Sequence, residues 1–235
     1  STVRNQETDL AYSQSVITAR SYANQFDTEM HGNMGLARAL GSAMKQYEGN
    51  KRTEVNNMLK QVLLDNPELL GTFVCYEPNA FDGRDAEYVG TPGHDGTGRF
   101  IPYWNKLNGS VRLDPALYYQ TSDYYQLPKH LGTDLITEPY FYEGEMLVSF
   151  VSPIMDNGTF IGIAGVDVSL DHIDSVVSNV SIFDTGYAFM VSNTGKLMSH
   201  PTEKEWIGIN TLEDFDSPAF SKMSSDISNG YSGHI

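Results

Sequence analysis

The sequence predicts an α+β protein: a long N-terminal helix followed by two antiparallel-sheet modules, the first complete and the second incomplete. Three observations predict it. Apolar residues recur at three- and four-residue steps from Asn5 to Tyr47 with no proline between them. The stretch Thr137 to Leu170 reads as three consecutive strands separated by the turn signals Glu143-Gly144 and Asp156-Asn157-Gly158. A smaller strand–turn–strand unit follows around Asn193-Thr194-Gly195.

Along the first segment Tyr12, Val16, Tyr22, Phe26, Met30, Met34, Ala37, Leu40, Met44 and Tyr47 share one helical face. Such a helix is about 60 Å long at 1.5 Å per residue, more than a small domain can pack along its whole length. It reads either as a stalk whose N-terminal half pairs with a second copy, or as two helices joined near His31-Gly32; length favours the stalk. A second helix is expected from Lys51 to Asp65, with Val55, Met58, Leu59, Val62 and Leu63 inward and Asn66-Pro67 as its stop. Gly71 to Glu77 reads as a strand, and Pro78 to Gly98 as a long irregular segment of the kind that is functional or mobile. After Leu170, a short helix covers Asp171 to Val177. Tyr187 to Ser192 and Lys196 to Ser199 form the second unit's strands, His200-Pro201 ends them, and a helix lies near Ser217 to Ser228. Two strands make a marginal sheet, so this unit reads as stopping before its fold is finished.

One residue breaks the apolar pattern of the third strand. Asp167 lies between Val166 and Val168, where a carboxylate is costly to bury without partners. Alternation puts Ile161, Ile163, Gly165 and Asp167 on one face, and the missing side chain of Gly165 leaves space beside the carboxylate. Tyrosines are concentrated at Tyr118, Tyr119, Tyr124, Tyr125, Tyr140 and Tyr142, with Tyr103 and Trp104 upstream. Aromatic faces and a carboxylate suit an organic cation, and Arg99 in addition would suit a zwitterion. Against this stands an Asp that caps a loop or pairs with a neighbouring Arg, and tyrosines that simply line a sheet edge.

Composition narrows the function classes. A net charge of −15 over 235 residues argues against nucleic acid and anionic lipid as partners. The single cysteine, Cys75, excludes an internal disulfide and a cysteine-built zinc site, and its apolar run predicts a buried, inert thiol. No run reaches the ~18 apolar residues of a membrane span. The chain starts at Ser1 without a leader pattern and reads as a piece of something longer.

Five segments together resemble a double Cache (PDC) domain, the PAS-like extracytoplasmic sensor of bacterial and archaeal chemoreceptors and histidine kinases. They are Glu77-Pro78-Asn79-Ala80-Phe81-Asp82-Gly83, Gly98-Arg99-Phe100-Ile101-Pro102-Tyr103-Trp104, Asp123-Tyr124-Tyr125-Gln126-Leu127-Pro128, Glu138-Pro139-Tyr140 and Gly165-Val166-Asp167-Val168-Ser169-Leu170. Phe183 to Phe189 and Leu197 to Pro201 resemble the start of the second module. The resemblance implies a long helix over residues 1–48, a membrane-distal ligand-binding module over 49–180 and an incomplete membrane-proximal module over 181–235. It implies transmembrane segments outside this sequence and an extracytoplasmic location; a homodimer through the N-terminal helix belongs to the stalk reading. It implies a pocket walled by the loop carrying Tyr103 and Trp104 and by Tyr124 and Tyr125, flanked by Tyr76 and Tyr140. Asp167 then holds a ligand ammonium. Members with the family's amino-acid motif carry Arg-x-Trp-Tyr; here the place reads Ser122-Asp123-Tyr124-Tyr125, so a carboxylate clamp would have to come from Arg99 or Lys129.

The leading function is therefore a sensor for a small amine or amino-acid-like ligand, in a receptor with a kinase or methyl-accepting output. A free solute-binding or interaction module is the alternative, against which the stalk argues. An enzyme is the weakest reading: no metalloprotease, hydrolase or phosphate-loop motif is present, the six histidines are isolated, and no cofactor or metal is expected. Asp82, Asp85, His94 and Asp95 lie close enough in sequence for a cation, but read more simply as a solvated loop.

Overall fold

The computed structural model describes residues 2–231; Ser1 and residues 232–235, with His234 and the outer ends of the expected segments, lie outside the described residues. In chain order the elements are α1 (Thr2–Gln46), α2 (Arg52–Asp65), β1 (Gly71–Tyr76), β2 (Pro102–Asn105), β3 (Arg112–Pro115), α3 (Asp123–Leu131), β4 (Leu135–Ile136), β5 (Tyr140–Tyr142), β6 (Glu145–Asp156), β7 (Thr159–Ser169), α4 (Leu170–Val177), β8 (Ser181–Ile182), β9 (Gly186–Tyr187), β10 (Met190–Val191), β11 (Leu197–Ser199) and α5 (Pro218–Ser228). The chain divides into two compact units, one over residues 32–169 and the other formed by the chain up to His31 and from Leu170 onward.

The long helix is one helix: α1 runs through Gly32 and Gly35 without a break, which rules out two helices joined at His31-Gly32. Its C-terminal part belongs to the 32–169 unit, where Met34, Ala37, Leu40 and Met44 are buried. Gly41 faces β6 and β7 there, a Cβ on it lying 3.4 Å from Ser152 Oγ, an ordinary contact distance. Further toward the N-terminus Phe26 and Met30 of the expected face are half-buried and Tyr12 and Tyr22 about half exposed, while Val3, Leu10 and Ile17, outside that face, are more exposed.

The 32–169 unit is built on a seven-stranded antiparallel sheet in the order β3-β2-β1-β7-β6-β4, with β5 also paired to β6. The turn signals place the β5–β6 and β6–β7 hairpins as expected. The Val- and Ile-rich β7 is central, paired on both sides by β1 and β6. Thr72, on one face of β1, bonds the Leu59 carbonyl of α2 at 2.8 Å, so α2 covers that face. The other face carries Phe73, Cys75, Ile163 and Asp167. The Tyr103-Trp104 segment, expected as a loop, is strand β2. The Asp123–Leu131 segment is helix α3, an element that its sequence conceals because Pro128 marks a stop. Here Pro128 instead sits in the last turn, where its carbonyl accepts from Gly132 N at 2.9 Å in a left-handed C-cap.

The long 78–98 segment is ordered by one arginine. Arg52 is 2 % exposed and donates to Asp82 at 2.6 and 2.9 Å, to Asp85 at 2.7 Å and to the Gly98 carbonyl at 2.9 Å. Its guanidinium lies 4.0 Å from the Tyr88 ring centre. Asp85 in turn accepts from Asn79 N at 2.7 Å. Asp82 and Asp85 are thus spent on an internal cation rather than on a metal, and Asp95 accepts from Thr97 and Tyr119.

In the other unit, Asp174 of α4 accepts from Ser178 Oγ at 2.7 Å, Ser199 Oγ at 2.8 Å and Lys204 Nζ at 2.5 Å. The strand expected from Tyr187 to Ser192 is interrupted. Gly186–Tyr187 pairs with β8 and Met190–Val191 with β11, while the Phe189 ring turns into a cluster with His200 and Phe220.

Removing Arg52 leaves two buried carboxylates uncompensated. Arg52→Met is therefore expected to lower unfolding stability by roughly 3–5 kcal/mol, read from urea denaturation with unchanged m-value; a loss within experimental error would show that the ion cluster does not hold the 78–98 segment.

Candidate functional site

The register of three strands assembles the site. Asp167 stands opposite Gly71 of β1 and Ser149 of β6, and Gly165 opposite Phe73. Ser149 Oγ donates to Asp167 Oδ1 at 2.5 Å and meets Tyr140 Oη at 2.7 Å. Thr137 fixes Ser149 from β6's other neighbour, its Oγ1 accepting from Ser149 N at 2.9 Å. Around the carboxylate close Phe73, Tyr103, Ala116, Tyr124, Tyr140 and Tyr142. The loop before α3 is tied down by two of these tyrosines: Tyr124 Oη donates to the Leu117 carbonyl at 2.6 Å, and Leu117 N donates to Tyr142 Oη at 2.9 Å.

Asp167 is 4 % exposed. Burial pushes its pKa up to about 6, against the pull of Ser149 and Tyr103, and no cation among the described residues acts on it. The Tyr103 hydroxyl is buried without a hydrogen-bond partner among the described residues, yet lies near enough to Asp167 to draw the carboxyl's pKa down. One carboxylate oxygen is thus engaged by Ser149, while an unsatisfied hydroxyl faces the same group.

The enclosed space is small, about 10 Å³, room for a water molecule at most. The space expected beside Gly165 is filled: a Cβ there would run into the Phe73 ring. A larger cavity, about 270 Å³, lies in the other unit. It is lined mostly by apolar side chains such as Phe26, Val176 and Phe189, and the carboxylate at its wall, Glu29, is paired with His172 at 2.8 Å. It offers no anchor comparable to Asp167.

The expected site residues separate into three groups. Asp167, Tyr103, Tyr124 and Tyr140 come together. Trp104 and Tyr76 do not. Because Tyr103-Trp104 is strand rather than loop, alternation turns Trp104 to the opposite face, where its Nε1 donates to Asn56 of α2 at 3.1 Å. Tyr76 likewise packs against Phe81 at 5.1 Å and Phe100 at 6.1 Å between ring centres. Arg99 and Tyr125 lie on the site's side of the unit but at its far end. Glu77 N donates to Ile161 O at 2.8 Å, six residues along β7 from Asp167, about 20 Å at strand rise. There Arg99 donates to the Tyr76 carbonyl and the Tyr125 hydroxyl, and Glu77 accepts from Tyr125, from Lys129 at 2.9 Å and from Arg99 at 3.4 Å. Arg99 and Lys129 are thus engaged by Glu77 and its neighbours rather than by the groups around Asp167.

Phe73, Tyr142 and Ser149 join the site without having been among its expected residues. Tyr142 is visible in the sequence as the second tyrosine of an alternating Tyr-Phe-Tyr, whereas Ser149 depends on a β-bulge between Ile154 and Met155 that shifts the β6–β7 register by one residue. Cys75 is the buried thiol expected, its pKa pushed up to about 12 by burial. Among the described residues no group of three or more His, Cys, Asp or Glu could hold a metal ion, and no helix is long and apolar enough to cross a membrane.

Known proteins share this architecture. A structure of the extracellular domain assigned to histidine kinase mmHK1S-Z3 is 57 % identical and superposes with a TM-score of 0.93, covering 96 % of this chain and 83 % of that one. Methyl-accepting chemotaxis protein X is 26 % identical with a TM-score of 0.81, over 96 % and 85 % of the two chains. The ligand-binding domain of the Pseudomonas aeruginosa chemoreceptor PctC, solved with GABA, shares the fold at 17 % identity and a TM-score of 0.61, over 88 % and 83 %. In sequence, methyl-accepting chemotaxis protein TlpQ of Pseudomonas aeruginosa is 27 % identical over 181 residues, 68 % of this chain and 25 % of TlpQ. PscA of Pseudomonas syringae pv. tomato is likewise 27 % identical, over 75 % and 27 %. The chain spans about a quarter of the length of these curated relatives. Residues 55–175, just over half the chain, match the methyl-accepting chemotaxis protein-like, first PDC sensor domain. The chain belongs to this family: it is an extracytoplasmic sensor domain, not a catalytic one.

Proposed function

We propose that residues 49–180 form the membrane-distal module and that it senses a small organic amine held by Asp167. The observation that carries this reading is a buried carboxylate, ionised through much of the neutral range, with no counter-ion among the described residues and with four tyrosines around it. An ammonium supplies the missing charge, and the ring faces supply the cation–π contact. The family match over residues 55–175 supports the module boundaries, with residues 181–235 as the membrane-proximal module. The GABA bound by the fold neighbour PctC also carries an ammonium group. With Arg99 and Lys129 engaged by Glu77 about 20 Å away, amines without an α-carboxylate fit better than α-amino acids. The free solute-binding and enzymatic readings lack any comparable observation.

The rest of the receptor follows as part of the same proposal. The domain sits between transmembrane segments of a longer chain that carries a kinase or methyl-accepting output. Two copies associate through the N-terminal part of α1, where Val3, Leu10 and Ile17, each exposed by 59–68 %, recur at seven-residue spacing on one helical face. Sedimentation at high concentration should show a dimer that Leu10→Asp weakens; a concentration-independent monomer would remove the helix from the interface.

Asp167→Asn should abolish stabilisation by amines in a thermal-shift panel of primary and quaternary amines, amino acids and small carboxylates, while Trp104→Ala leaves it unchanged. Retained amine binding in Asp167→Asn would overturn the ammonium assignment. Since only the ionised carboxylate pairs with a cation, affinity should be constant above pH ~6 and fall about tenfold per unit below it; a flat profile would remove Asp167 from the contact.

The unliganded fold carries a cost at the same residue. The pKa of Asp167 is raised above the ordinary 3.8, so the folded state binds more protons and stability falls as pH rises from about 4 to about 6. The loss above that window is at most roughly 3 kcal/mol. Asp167→Asn is therefore expected to melt higher than wild type at neutral pH, with the difference shrinking toward pH ~4. Equal melting temperatures throughout would mean that the carboxylate is not the uncompensated charge its surroundings indicate.

A further inference from the structure

The closed cage poses a question of access. About 10 Å³ admits no amine, so an element of the cage has to move. Tyr103, Tyr140 and Tyr142 project from strands hydrogen-bonded into the sheet. Tyr124 projects from α3, which belongs to no ladder. α3 is held by the burial of Tyr124, Tyr125 and Pro128 and by a polar cluster next to Tyr124 in sequence: the hydroxyl of Tyr125 donates to Glu77, and one turn on, Lys129 Nζ donates to the same carboxylate oxygen at 2.9 Å. Arg99 completes the cluster, its Nη2 reaching both the Tyr125 hydroxyl and, at 3.4 Å, Glu77. Its guanidinium lies 4.4 Å from the Tyr119 ring centre, and Gln126 Nε2 donates to the Tyr119 carbonyl at 2.7 Å. Glu77 is thus the carboxylate on which the buried Arg99 and the exposed Lys129 converge.

We infer that Glu77 is a positioning residue for ligand capture: by binding Tyr125 and Lys129 it latches α3 over the Asp167 cage, and its release lets α3 and Tyr124 swing away to admit the ligand. The inference rests on the reading of Asp167 as the ligand anchor, but the latch itself is observable without any ligand. Burial raises the pKa of Glu77, but the bonds from Tyr125 and Lys129 outweigh it and the net shift is downward, so the latch is ionised at neutral pH. Capture then scales with the fraction of molecules whose α3 is open.

The chain supplies its own reporter. Cys75 is its single cysteine, fully buried in the cluster that contains both Tyr124 and Tyr125. It becomes reactive only when α3 lifts or the protein unfolds. The test is the rate of labelling of Cys75 by a disulfide reagent, without ligand, in wild type, Glu77→Gln and Lys129→Met, at fixed pH and over low urea concentrations. The Glu77→Gln substitution keeps the shape of the side chain and removes its charge. Lys129 is 39 % exposed, so its substitution leaves the fold intact even if the Glu77 variant proves poorly folded. Losing one charge-assisted bond from the latch should speed labelling by about tenfold, with little urea dependence and with the global unfolding midpoint little changed. Wild-type labelling rates in both variants would overturn the latch. So would acceleration that appears only with a steep urea dependence and a matching loss of global stability, since that reports unfolding rather than α3 opening. Faster labelling in a protein that no amine stabilises would keep the latch and discard the amine reading.

Discussion

A carboxylate placed in the apolar face of a central strand, with no cation among the described residues to meet it, constrains the arrangement of the 32–169 unit. Asp167 is tolerated because Ser149 donates to it and Tyr140 closes on Ser149, and because Tyr103 stands beside it with an unsatisfied hydroxyl. These contacts bring the carboxyl's pKa to about 6 rather than beyond it. A core built only for stability would neutralise such a group or replace it with an apolar one. A core built to receive a cation must keep it ionisable and leave it unpaired.

The two faces of the sheet divide the labour. One is closed by α2 and the C-terminal part of α1. Its neighbouring loop is tied by the Arg52 cluster, in which the arginine and both carboxylates are paired. The cover of the other face is short and aromatic: the Ala116 region, β5 and α3, packed into a cluster of buried tyrosines and tied in addition by tyrosine hydroxyls and by Glu77. The two faces thus differ in chemistry: apolar packing and satisfied ions on the one side, an aromatic cluster carrying separable hydrogen bonds on the other.

This division suits a sensor. A ligand shifts an equilibrium only by the difference in its affinity for two states. A cage that is closed and unsatisfied when empty, beneath a cover fastened at one carboxylate, provides two states separated by a modest number of contacts. The histidine-kinase and chemoreceptor domains that share the fold present the same scaffold in receptors of both kinds, consistent with a module whose output is set elsewhere in the chain.

Much of this was legible in the residues. Helical periodicity without proline specified α1, the Asp-Asn-Gly turn specified the β6–β7 hairpin, and a lone Asp in a Val- and Ile-rich strand singled out Asp167, because local spacing and composition determine which elements form and which face each side chain takes within its own strand. What only the tertiary structure decided was who meets whom. Reading Tyr103-Trp104 as a loop hides the alternation that sends Trp104 to α2. The bulge beside Ile154 sets Ser149, not Val148, opposite Asp167. The Phe73 ring fills the space that Gly165 leaves, and Glu77 draws Arg99 and Lys129 to the far end of the strand. Each of these is a cross-strand or long-range contact. Such contacts depend on register and on competition between partners distant in sequence, which no single segment encodes.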